Sequence, residues 1–147
     1  MEQTLFLMSF LVASMLLGAM LFFSFLVAPI TFIKLEAKSA GQLIRSIFPH
    51  YYIIIIIFSL VSGVLLSFAH HTSAVLMFLI TISGLFSRQI LIPKINNYRD
   101  AEIAGDANAK SKFDRWHRLS VGINGGQIFV LIVSIVNIYQ TGFILMV

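Results

Sequence analysis

No cysteine occurs in the chain, and that absence removes disulfides, thiolate nucleophiles, iron–sulfur ligation and every cysteine-based zinc site. Charge is scarce as well. Only 11% of residues are Asp, Glu, Lys or Arg, where a soluble domain carries about a quarter. No acidic residue falls inside a long apolar run, and the segment HHTS at 70–73 holds neither lysine nor arginine. The signatures GxSxG, Walker A, HExxH and GxGxxG are missing too, so hydrolase, nucleotide-binding and zinc-protease readings have nothing to rest on.

What is abundant is apolar surface: 59% of the 147 residues are hydrophobic and the mean hydropathy is +0.95. That composition belongs to a membrane protein, and the length suits one compact domain spanning residues 1–147. The net charge of +4 comes from basic residues scattered beside apolar runs. Such scatter argues against nucleic acid and makes anionic lipid headgroups the expected partner.

A membrane span needs roughly 20 apolar residues, and four stretches qualify, at about 4–29, 51–70, 72–93 and 118–147. The first is read as a permanent span: its flank holds Glu2, its apolar run is long for a signal peptide, and VAP is a poor cleavage site. The run IIIII at 53–57 would favour a strand in water. In a bilayer a lone strand leaves its backbone unpaired, so helix is expected.

All ten Lys and Arg residues lie between spans 1 and 2 or around the facing ends of spans 3 and 4. The positive-inside rule then predicts cytoplasmic connections at about 30–50 and 94–117, with both termini outside. A bacterial inner membrane is the expected location. Pro29 is expected to end span 1, Pro49 to precede span 2 and Pro93 to end span 3. Residues 34–47 read as a short interfacial helix and 96–114 as a solvated loop with some helix. FPHYY (48–52) and FDRWH (113–117) enter spans 2 and 4 in similar fashion. The chain is therefore expected to be an all-α four-helix bundle, with two parallel helical hairpins as an open possibility.

In span 4, His117, Ser120, Asn124 and Gln127 fall on one helix face and descend roughly 15 Å. Two readings stay open for this stripe, a polar pocket or interhelical hydrogen bonding. Arg88 sits roughly 7 Å below the end of span 3. It either snorkels or faces the stripe, with Ser120 or Asn124 accepting its hydrogen bonds, an anionic ligand pairing with it and Asp114 as the nearest carboxylate. Gly122 and Gly126 lie on the opposite face in GxxxG spacing, a candidate seam for a homo-oligomer, while Ser14 with Gly18 and Ser59 with Gly63 favour close packing. His50 and His117 open spans 2 and 4 and are candidate haem ligands, with an aromatic interfacial belt as the alternative. The pair His70 and His71 reads as a solvated turn, and no metal site is predicted.

The segment FDRWHRLSVGIN (113–124), FPHYY (48–52) and LIP (91–93) resemble the signature of the transmembrane-protein-205-like family. The resemblance marks Phe48, Pro49, Tyr51, Pro93, Arg115, His117, Ser120 and Asn124, and implies a small four-span membrane module without an assigned reaction. A more distant likeness runs to copper-resistance D and haem-dependent protoporphyrinogen oxidase proteins, which use intramembrane histidines. The leading expectation is binding or translocation of a small solute or lipid through a pocket formed by Arg88, His117, Ser120, Asn124 and Gln127. No catalytic residue and no resident cofactor are predicted. A haem-binding redox module and a non-catalytic interaction scaffold are the rival expectations.

Overall fold

The computed structural model describes residues 2–144, with side chains as far as Gly142; the last residues of the fourth expected span, 145–147, lie outside them. Helices α1 (Glu2–Phe22), α2 (Ala28–Lys34), α3 (Ala37–Ser67), α4 (His71–Phe86), α5 (Ile92–Ile103) and α6 (Ala109–Ile144) follow one another without a strand among the described residues. A π-turn at Phe23–Val27 joins α1 to α2, and a second at Ser87–Leu91 joins α4 to α5. The result is four helical runs long and apolar enough to cross a membrane: Glu2–Lys34, Ala37–Ser67, His71–Ile103 and Ala109–Gly142.

Burial is inverted relative to a soluble protein. Ser9, Ser59, Ser62, Ser73, Ser87 and Ser134 are fully buried, whereas Phe25, Ile82 and Phe129 point outward. Water would not tolerate that much exposed apolar surface, but lipid does. The chain is an integral membrane four-helix bundle. Its core runs through Leu16, Met20, Tyr52, Ile55, Met77, Ile80 and Leu131, and α3 packs closely on α4. A Cβ added to Gly63 would come within 3.1 Å of the Phe78 ring, and one added to Gly84 within 3.1 Å of Ile56. Of the small-residue pairs read from the sequence, Gly63 forms a close seam; Gly18 has no side chain within 4 Å of its Cβ position.

The prolines behave differently from expectation. Pro29 and Pro93 do not end their spans; each is the second residue of the helix that follows a π-turn, and the runs continue to Lys34 and Ile103. Proline needs room in the preceding turn and removes one donor. The wide i→i−5 bonds, Ala28 N–H to Phe23 O and Ile92 N–H to Ser87 O, supply that room. Pro49 likewise lies inside α3, which merges the expected interfacial helix with the second span. The loop expected over 96–114 shrinks to 104–108, because α5 ends in a Schellman turn. Gly105, at φ +95°, and Asp106 return hydrogen bonds to Glu102 O and Ala101 O. At the other end His70 is more than a solvated turn: its Nδ1 caps α4 by accepting from Ser73 N.

Both π-turns stand at the end of the bundle that carries all the basic side chains. The backbone carbonyls of Ser9 in α1 and Ser73 in α4 each accept from a serine hydroxyl of the helix that completes their half, Ser62 at 3.4 Å and Ser134 at 3.5 Å. The π-turn, the proline behind it and the serine contact thus recur in both halves. The recurrence is consistent with two parallel helical hairpins.

Candidate functional site

The basic end is tied together by polar contacts. Arg45 of α3 grips Asp100 of α5 through two bonds of 2.9 and 3.2 Å and reaches the Asn96 carbonyl at 3.5 Å. Lys94 lies 4.4 Å from the Trp116 ring centre, joining α5 to α6. Arg99 binds Glu102 at 2.7 Å, and Asp114 faces Lys110 at 3.6 Å. Asp114 is therefore committed to Lys110 rather than to Arg88.

Between α3, α5 and α6 a cavity of about 40 Å³ opens, lined by Arg45, Phe48, Ile92, Ile95, Asn96, His117 and Ser120. A single water needs roughly 10–15 Å³ by this measure, so the space holds about three water-sized groups. Phe48, Ile92 and Ile95 supply its apolar walls. Its polar atoms come from the arginine–asparagine rim, the exposed His117 and the buried Ser120.

The four polar residues of α6 share one face, as their spacing requires, but they do not share one space. His117 and Ser120 line the cleft. Asn124 accepts from the Tyr51 hydroxyl at 2.7 Å and donates to Ser24 Oγ, in the first π-turn, at 2.9 Å. Gln127 donates to Ser83 Oγ at 2.8 Å. For Asn124 and for the amide nitrogen of Gln127 the interhelical reading holds. Arg88 does not line the cleft, and Asn124 has both amide atoms engaged elsewhere.

Of the residues marked by the resemblance, Phe48 lines the cleft and stacks near Phe23 and Tyr52. Tyr51 reaches Asn124, Pro49 and Pro93 sit within helical runs, and Arg115 is exposed. His50 turns its Nδ1 to its own Ser46 carbonyl, and the His117 ring lies parallel to Phe113. The cleft contains one of the two candidate haem histidines. Among the described residues no three His, Cys, Asp or Glu side chains gather as a metal set. Gly122 and Gly126 face outward with no atom of the chain against them.

Sequence reasoning passed over Arg45, Asn96, Tyr52, Ser87, Ser24 and Ser83. Arg45 and Asn96 lie in segments read as interfacial helix and loop, while the rest are single hydroxyls in apolar runs. One signal was present: Ser87 directly precedes the unusual intramembrane Arg88.

Fold and site together define a four-span integral membrane protein with a polar layer at its basic end. Residues 11–103 match the model of a family described as a domain of unknown function, DUF4149, and the chain belongs to that family. The matched region takes in both π-turns, Tyr51, Tyr52, Ser87 and Arg88, and stops before α6. No curated protein and no solved structure matches the chain.

Proposed function

We propose that the protein is a membrane-embedded binding module that takes the small polar group of a solute or lipid into the cleft at its basic end. The observation that carries this reading is the convergence of Arg45, Asn96, His117 and Ser120 on one cavity between three helices. Its volume of about 40 Å³ fits a head group rather than a whole lipid. Translocation requires the helices to part further.

By the positive-inside rule the cleft faces the cytoplasm, and a bacterial inner membrane is the setting we favour. The likeness of FDRWHRLS to the transmembrane-protein-205-like signature fits a small four-span membrane module and assigns it no reaction. The test is a set of single substitutions followed by ligand-dependent shifts in Tm across small solutes and lipid head groups. His117→Ala and Ser120→Ala are expected to keep the Tm of the unliganded protein and lose the shift. Asn124→Ala is expected to lower that Tm. Retention of every ligand shift in both cleft variants contradicts the reading.

A further inference from the structure

Among the described residues, four buried side-chain atoms have no hydrogen-bond partner: Tyr52 Oη, Ser87 Oγ, Arg88 Nε and Gln127 Oε1. They are not scattered. Ser87 and Arg88 are consecutive in the second π-turn. The Tyr52 hydroxyl lies beside those of Ser87 and Ser120 without a well-formed hydrogen bond to either. Gln127 is tied by its amide nitrogen to Ser83, one turn from Ser87. Tyr52 and Ser87 are wholly buried, and Gln127 is 4% exposed.

A buried polar atom without a partner costs about 1–3 kcal/mol, and native structures hold few of them. They fall on α3, the second π-turn and α6, with the π-turn packed against both helices, and a partner from outside the chain would satisfy them. π-turns are frequent at such places, because the widened turn redirects side chains.

The unmet groups state the chemistry of that partner. Arg88 Nε donates only, and among the described residues no carboxylate pairs with its guanidinium. Tyr52 and Ser87 add two hydroxyl donors, and Gln127 Oε1 is the single acceptor. We infer that the second π-turn, with Tyr52 and Gln127 opposite it, binds a small oxyanion, a carboxylate or phosphate group. Arg88 supplies the counter-charge, Tyr52 and Ser87 donate to the anion's oxygens, and Gln127 accepts from a hydroxyl or water beside it. Ser120 lies near Tyr52 and also forms part of the cleft wall, so it stands between the two. The inference rests on the cleft reading for access from solution. A half-exposed Arg88 also leaves a lateral approach for a lipid phosphate.

The purified full chain in neutral detergent is titrated with sodium acetate, sodium phosphate, sodium chloride and the neutral isostere acetamide at constant ionic strength, following Tm. In parallel it is placed in phosphatidylcholine nanodiscs with or without phosphatidylglycerol. A saturable rise with acetate or phosphate but not chloride identifies a free anion. A rise only with phosphatidylglycerol identifies a lipid head group. In either case Tyr52→Phe and Arg88→Lys are expected to weaken binding about tenfold or more, for loss of one charge-assisted bond each. Tyr52→Phe should leave the unliganded Tm unchanged or higher, since it removes an unmet hydroxyl, so its effect on binding is separable from folding. Saturation without any effect of these variants, or no saturable response to either oxyanion or to phosphatidylglycerol, overturns the inference. Should acetamide alone stabilise the protein in a Ser120-dependent way, the cleft reading stands and the oxyanion inference falls; silence from all probes removes both.

Discussion

Asn124 engages both ends of its amide across the bundle, one on α3 and one on the first π-turn. Interhelical hydrogen bonds in membranes contribute on the order of 0.6 kcal/mol each, so Asn124→Ala is expected to destabilise by about 1 kcal/mol. Thermal unfolding in detergent measures it, and a double-mutant cycle with Tyr51→Phe should return a favourable coupling. The stripe containing Asn124 was legible in the sequence because helical spacing alone puts His117, Ser120, Asn124 and Gln127 on one face. The partners were not. Tyr51, Ser24 and Ser83 lie 73, 100 and 44 residues away along the chain, and a lone hydroxyl in an apolar run carries no mark of what it will meet. Arg88 stood out through its charge; that its Nε would be buried without a partner depends on packing that periodicity does not encode.

At the scale of the helix, apolar runs and their helical state followed from the sequence, because lipid leaves the backbone no other way to pair. Helix boundaries differ from the sequence pattern where proline reads as a stop. Pro29 and Pro93 each lie behind a π-turn that accommodates the ring, and nothing in a hydropathy pattern distinguishes a π-turn from an α-turn. Glycine spacing was ambiguous for a similar reason. Gly63 and Gly84 sit against Phe78 and Ile56 at α3–α4, whereas Gly122 and Gly126 face outward with open space. Gly63→Leu is therefore expected to destabilise by about 1–3 kcal/mol through overpacking. Gly122→Ala and Gly126→Ala should not destabilise the single chain and are expected to raise its stability by up to about 1 kcal/mol each; if that face joins two copies, they should weaken crosslinking of the pair instead. Gly105→Ala, at φ +95°, should cost about 1–2 kcal/mol, visible as a lower Tm.

For the whole molecule, one end carries all ten basic residues together with the cleft, both π-turns and the unmet polar atoms. The opposite end is closed by Phe68, Ala69 and the His70 cap. This polarity was the most legible feature of the sequence, because charge placement is written directly in residue order. A chain without cysteine makes the polarity easy to test, since any thiol introduced is the only one present. A cysteine at Asn108 should be shielded from an impermeant maleimide in intact cells, and one at His71 should react; the reverse pattern would turn the molecule over.

The same property allows the most direct test of a water-open cleft at the basic end. Ser120→Cys, in the cleft wall, and Leu131→Cys, in the sealed core, are compared for reaction with a small water-soluble thiosulfonate applied from each side of the membrane. With a water-open cleft, Ser120→Cys reacts from the basic side only and Leu131→Cys stays inert. Equal inertness of both, or reaction of Ser120→Cys from the opposite side, would contradict it.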